Sequence, residues 1–312
     1  MRLRHFILSL VMISAAGCAN VDTESTDKMT IGVVSYGDSE VSLEQYQRFQ
    51  TYLAEETKIA FELEVAYNEL QAVQQVESGN WSLVFAPPGL AVIAGKQGYS
   101  QLFTLDDANK SEHSLIVVPE DSSIETLTDL AYKTVGMGEP GSAAGYYLPL
   151  YNLYGLTLAE VQFAPTPKTL LNWVEEGTVA AGAISEKDFE QHKGQFAGTP
   201  FRVLHQSKRN IPAGVVMLGV VERGKGEFVK RVMQEAPSNI TSDAKYVPTA
   251  TLPNYGDMVK VVERVKPLEE QVRLVPAILT LEHLESQPES APQAELEFNA
   301  QTQEAEPAEG PD

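Results

Sequence analysis

Cysteine occurs once in this chain of 312 residues, at Cys18, so no disulfide can form within it. Positive charge is scarce: 23 Lys and Arg stand against 43 Asp and Glu, for a net charge of −20. Nine of the acids lie in 282–312, which holds no Lys or Arg, and this leaves −11 for the remainder. Neither part has the basic field that a nucleic-acid partner requires. Catalytic signatures are missing too. H-E-x-x-H, G-x-S-x-G and G-x-x-x-x-G-K-[ST] do not occur, and His113, His192, His205 and His283 have no cysteine or acid at metal-ligand spacing. A G-x-G-x-x-G run does exist at Gly136, Gly138 and Gly141, but Pro140 stands where the helix of a dinucleotide site would begin, and the match is read as chance. The sequence therefore predicts no catalytic residue, no metal and no cofactor. The apolar run Phe6–Ile13 is eight residues long, against the roughly 20 needed to span a bilayer.

What is present at the N-terminus has a definite order. Two arginines precede the apolar run, and S-A-A-G-C follows it. Charge, apolar run and small residues in that order read as a signal peptide over 1–17. Small residues ahead of a cysteine resemble a bacterial lipobox, with Ala15 at the position where leucine is usual. That resemblance implies cleavage before Cys18, a lipid on its thiol, and a place on the periplasmic side of a bacterial membrane. The alternative is a signal cut elsewhere, with Cys18 as an incidental thiol.

Residues 18–28 are mostly polar and read as a tether. From Met29 onward, short apolar runs alternate with segments of helical periodicity. T-I-G-V-V (30–34), F-E-L-E-V-A (61–66) and W-S-L-V-F-A (81–86) read as strands. Leu43, Tyr46, Phe49 and Leu53 give a helix from near Ser42, and 70–77 give another that stops at Ser78-Gly79. A second set starts near 112, with strands over 114–120, 134–137, 161–164, 179–184 and 201–206 and a helix over 169–177. A strand over 214–221 and a helix over 226–233 follow. This alternation predicts parallel sheets with right-handed crossovers. It also predicts two lobes: 29–111 with 214–284, and 112–213. The segment 285–312, rich in Gln, Glu, Pro and Ala, reads as a disordered acidic tail.

One stretch raises a chemical question. G-E-P-G-S-A-A-G-Y-Y-L-P (138–149) places three glycines and a serine at the mouth of a helix. It is either a tight turn or a seat for an anion, because the free N–H groups and the dipole of a helix N-terminus attract negative charge.

The order of these pieces resembles the periplasmic phosphate/phosphite/phosphonate-type solute-binding proteins of ABC importers over about 29–235. S-G-N-W-S-L-V-F-A-P-P (78–88) is similar to the Gly-x-x-Asp-x-x-x-x-x-Pro stretch of that family. D-S-S-I-E-T-L-T-D-L-A-Y-K-T-V-G (121–136) resembles its approach to the second lobe. E-P-G-S-A-A-G-Y-Y-L-P (139–149) resembles its acid-Pro-Asn-Ser-Thr-Ser-Gly-Tyr-x-x-Pro loop. The resemblance implies an α/β, type II periplasmic binding protein fold of two lobes with a ligand cleft between them. It implies ligand contacts from Ser142, Ala143, Ala144 and Gly145, from Tyr67, and from Pro88 on the cleft floor. Tyr36, which ends the first strand, faces the sheet edge where ligands bind or else serves a turn. Pro149 and Ile211-Pro212 match structural and hinge prolines.

The chain also departs from the pattern. Ala143 and Ala144 lack the hydroxyls usual there, and Ala180 and Ser82 stand in place of acids. Thr166-Pro167-Lys168 stands where the family has a histidine, and Lys168 is the candidate positive partner. Each missing hydroxyl removes about 0.5–1.5 kcal/mol, so two would weaken phosphonate binding by roughly tenfold to several hundredfold. The implied function is a lipid-anchored protein that captures a small anion and passes it to an ABC permease in the inner membrane. The alternative is a non-transport ligand sensor or partner protein on the same fold, a reading to which the acidic tail lends weight.

Overall fold

Two mixed β-sheets carry the fold of the computed structural model, which describes residues 28–35, 43–106, 112–196 and 200–280. The predicted signal peptide, Cys18, Tyr36 and the tail over 285–312 lie outside the described residues. Lys28, read with the tether, is the first residue of a strand.

The first sheet begins with β1 (Lys28–Val34), α1 (Leu43–Thr57), β2 (Ala60–Ala66), α2 (Glu69–Glu77), β3 (Leu83–Ala86), α3 (Pro88–Lys96) and β4 (Ser100–Leu105). The chain then builds the second sheet. Its elements are β5 (Ser114–Pro119), β6 (Thr134–Met137), a π-helical turn (Ala143–Tyr147) running into α4 (Leu148–Asn152), β7 (Thr157–Leu158), β8 (Glu160–Phe163), α5 (Pro167–Glu175), β9 (Ala181–Ser185), α6 (Glu186–His192) and β10 (Phe201–Gln206). It returns to the first sheet through β11 (Val215–Leu218), α7 (Arg223–Gln234), α8 (Ser238–Asp243) and β12 (Tyr246–Val247), and ends with α9 (Gly256–Val265) and β13 (Ala277–Ile278). The strand orders are β12-β4-β11-β3-β1-β2 and β10-β5-β9-β6-β8.

The expectation of parallel sheets needs correction. β11 is antiparallel to both β3 and β4, and β5 is antiparallel to both β9 and β10. A parallel neighbour needs a crossover that carries the chain back to the starting edge. β5 and β11 have none, because each arrives directly from the other sheet. Each therefore starts at the edge where the parallel strands end: Ser114 lies opposite Ser185, and Val215 opposite Ala86. The two links are tied to each other. Ile211 N–H donates to the Glu112 carbonyl at 2.8 Å, and Ser207 N–H to the Ser114 carbonyl at 2.8 Å.

The P-P-G at 87–89 opens α3. Pro88 occupies the first helical turn, where its missing N–H costs no hydrogen bond. α1, α7 and α8 cover one face of the first sheet through Phe49, Leu53, Val229 and Met233. α5 and α6 cover the outer face of the second through Leu170, Leu171 and Phe189. A larger core runs between the sheets and takes in α2, α3, the 143–152 helix and α9. The last described segment bridges the two halves. Tyr255 Oη donates to the Ala213 carbonyl on the returning link, and Ala277 and Ile278 pair with Leu158 and Thr157 beside the second sheet.

Candidate functional site

Helix-capping chemistry explains the glycine-rich stretch. Gly141 has φ of +111°, a region glycine enters freely, and it turns the chain into Ser142. Ser142 is the N-cap, and its Oγ accepts from Gly145 N–H at 2.9 Å. The turn that follows is wide: Tyr147 N–H reaches the Ser142 carbonyl at 3.1 Å. Pro149 has no N–H to offer the Gly145 carbonyl. That oxygen accepts from Gly138 N–H at 2.9 Å instead, so the helix start is tied back to the end of β6. The two glycines touch, since a β-carbon on Gly138 would lie 3.3 Å from Gly145 Cα.

Beside this loop lies a cavity of about 40 Å³, at the edge where β6, β8 and β9 end. Its lining includes Ser142 and Gly145, Thr166, Pro167, Ser185 and Asp188 from the second lobe, and Glu69 from α2 of the first. Three of these residues are N-caps. Thr166 Oγ1 accepts from Thr169 N–H at 3.1 Å, and Ser185 Oγ accepts from Asp188 N–H at 3.0 Å. Helix N-termini thus converge on one small space, which favours negative charge. Ser185 also donates to Asp188 Oδ2 at 2.7 Å, whereas among the described residues no acceptor takes the Ser142 hydroxyl proton. Two carboxyls oppose this polarity, Glu69 and Asp188. Burial pushes the Asp188 carboxyl above the ordinary carboxylate range, partly offset by its bond from Ser185 and by Lys187 and His192.

Of the residues singled out in the sequence, Ser142 and Gly145 line this cavity. The Gly145 N–H is committed to its cap and so is not free for a ligand. Ala143 and Ala144 are buried and do not line it. The Ala143 nitrogen abuts Gly89 of α3, and the Ala144 carbonyl accepts from Ser114 Oγ at 2.6 Å. Tyr67 is 66% exposed, outside the lining, with its N–H donated to Gln71 Oε1. Pro88 begins α3, and Lys168 is exposed on α5, both also outside the lining. Ser185, Asp188 and Glu69 were missed. Their signals were local and readable: S-E-K-D at 185–188 and N-E at 68–69 are helix starts that follow strands. Among the described residues no group of His, Cys, Asp and Glu could hold a metal, and no helix is long and apolar enough to cross a membrane.

Comparison with known proteins gives this geometry a context. Residues 31–236 match the family of periplasmic substrate-binding proteins of phosphonate ABC transporters. No curated protein matches the sequence. Among solved structures, XAC2383 from Xanthomonas citri bound to chloride is similar at 18% identity and a TM-score of 0.63, covering 77% of this chain and 99% of that one. PhnD1 from Prochlorococcus marinus in complex with methylphosphonate is similar at 16% identity and a TM-score of 0.61, covering 77% and 99%. The binding-protein component of a phosphonate ABC transporter from Pseudomonas aeruginosa is similar at 14% identity and a TM-score of 0.59, covering 79% and 88%. At these identities the likeness is one of fold, the two-lobed α/β fold of periplasmic binding proteins, and the family is one of solute-binding proteins, not enzymes. With two thirds of its length matched, the chain belongs to the periplasmic phosphonate-binding family of ABC transporter substrate-binding proteins.

Proposed function

We propose that the protein is a lipid-anchored solute-binding clamp that captures a small anion of the phosphonate, phosphite or phosphate class and delivers it to an ABC permease. Lobe 1 is 29–111 with 214–284, lobe 2 is 112–213, and the links near Ile211 and Glu112 are the hinge. Cys18 carries the lipid. The observation that carries the reading is the meeting of three capping hydroxyls, those of Ser142, Thr166 and Ser185, around one cavity at the ends of the second sheet's parallel strands. Ligands of open α/β sheets bind at such edges. Ser142 donates its hydroxyl proton to the anion, and the N-termini of α5 and the 143–152 helix stabilise its charge.

Glu69 and Asp188 refine the ligand class. A bare dianion beside two carboxyls meets like charge. A phosphonate whose far end carries a positive group is better matched to this lining, with its oxyanion toward Ser142 and its cation toward Asp188. Titration calorimetry with methylphosphonate, phosphite, phosphate and an aminoalkylphosphonate tests both levels. Binding of any of the four supports the anion clamp, and tightest binding of the aminoalkylphosphonate supports the refinement. Failure of all four at millimolar concentration overturns the proposal.

A further inference from the structure

Main chain meets main chain where the two lobes touch. A β-carbon on Gly89, in the first turn of α3, would lie 2.1 Å from the Gly141 carbonyl oxygen and 2.7 Å from the Ala143 nitrogen. Gly141 is equally confined on its other side, where a β-carbon would lie 2.9 Å from Glu69 Cβ and 2.9 Å from Val73 Cγ2. The loop before the 143–152 helix is thus wedged between the N-terminal half of α2 and the first turn of α3. Gly89 faces backbone atoms, which cannot swing aside as a side-chain tip can. Ser142 and Glu69, which line the cavity from opposite lobes, flank this seam.

We propose that Gly89 is a positioning residue for ligand capture: its missing side chain lets the lobes close fully, and its contact with Gly141 is the stop that fixes their closed spacing. This rests on reading the protein as a solute-binding clamp. Ordinary contact begins near 3.4 Å, so Gly89→Ala forces the seam apart by roughly 1.3 Å and holds Glu69 away from Ser142. α3 supplies its own control. A β-carbon on Gly95, in the same helix, meets nothing within 4 Å, so Gly95→Ala brings the same gain in helix propensity without the clash.

The test compares wild type, G89A and G95A. Inter-lobe distance is read by electron spin resonance between labels at Glu55→Cys and Lys187→Cys, both exposed, in a Cys18→Ser background. Association and dissociation rates are measured with methylphosphonate, and melting temperature is recorded for each variant. G89A is expected to give longer label distances and to release methylphosphonate about tenfold faster or more, with association nearly unchanged, because its closed state is less populated. G95A is expected to track wild type. The proposal is overturned if G89A matches G95A in label distance and release rate, including the case in which it only melts lower. If wild type binds none of methylphosphonate, phosphite, phosphate and the aminoalkylphosphonate, the clamp reading fails by itself. The ligand-free label distances then still decide the seam, since G89A must be more open than G95A.

Discussion

Ser142 caps a helix and, on the proposed function, also binds the anion, and two substitutions pull these duties apart. Its Oγ caps the 143–152 helix by accepting from Gly145 N–H, and its proton is free for a ligand. Ser142→Ala removes both. Losing an N-cap costs about 1 kcal/mol, which for a fold of this size lowers the melting temperature by roughly 2–4 °C. Losing a hydrogen bond to a charged group costs about 1.5–3 kcal/mol, a fall in phosphonate affinity of roughly 10- to 100-fold. Ser142→Asp keeps the cap, since aspartate serves as well as serine there. It also places a negative charge against the bound anion, at a cost of about 4 kcal/mol for a separation near 4 Å and an effective dielectric of 20. S142D should therefore melt like wild type and bind roughly a thousandfold more weakly, while S142A should lose a few degrees and one to two decades of affinity. Differential scanning fluorimetry and titration calorimetry with methylphosphonate read the two axes independently. If S142D binds the anion as well as wild type, the oxyanion does not sit at this helix start.

Three further substitutions have definite expected outcomes. Asp188 binds its proton more tightly folded than unfolded, so stability should fall as pH rises from the ordinary carboxyl value of 3.8 through its raised folded value, then level off; Asp188→Asn should flatten that slope in urea midpoints, and an unchanged slope would assign it to another group. A β-carbon on Gly32 would lie 1.9 Å from the buried Trp81 ring, whose N–H is held by Glu64 at 2.8 Å; Gly32→Ala should cost about 1–3 kcal/mol of overpacking, and a melting shift under one degree would contradict that packing. Cys18→Ser, expressed in a bacterium, should move the protein from the membrane fraction to the soluble periplasmic fraction; retention in the membrane would locate the anchor elsewhere.

Strands with dense Val, Ile and Leu, such as Lys28–Val34 and Ser114–Pro119, were readable in the sequence, because burial on both faces leaves a continuous apolar run. The direction of β5 and β11 was not, since it depends on which sheet the chain arrives from. Ser100–Leu105 mixes polar and apolar residues and carries no such signal. α9 carries a helical signal in its sequence, since Met258, Val261, Val262 and Val265 repeat at helical spacing. In the site, Ser142 stood out because glycines surround it. Ser185 and Glu69 did not, because each looks like an ordinary helix start, and Thr166 drew notice only for the histidine it replaces; the alignment of strand ends brings the three together.

The two alanines of the motif acquire a reason from this packing. In the family pattern the positions of Ala143 and Ala144 carry hydroxyls that serve a ligand. Here both are buried, with exposures of 5% and 7%, between α3 and the second sheet. A hydroxyl at either position would need a partner in that apolar setting, or cost about 1–3 kcal/mol unpaired. Methyl groups avoid that cost. The loop that carries these alanines meets Gly89 through its main chain, and the cavity's hydroxyls and carboxyls come from Ser142, Thr166, Ser185, Asp188 and Glu69. Affinity in this chain should accordingly rest on Ser142 and the start of α5 rather than on side chains at 143 and 144, and ligand choice should follow the carboxyl at Asp188 as well as the oxyanion.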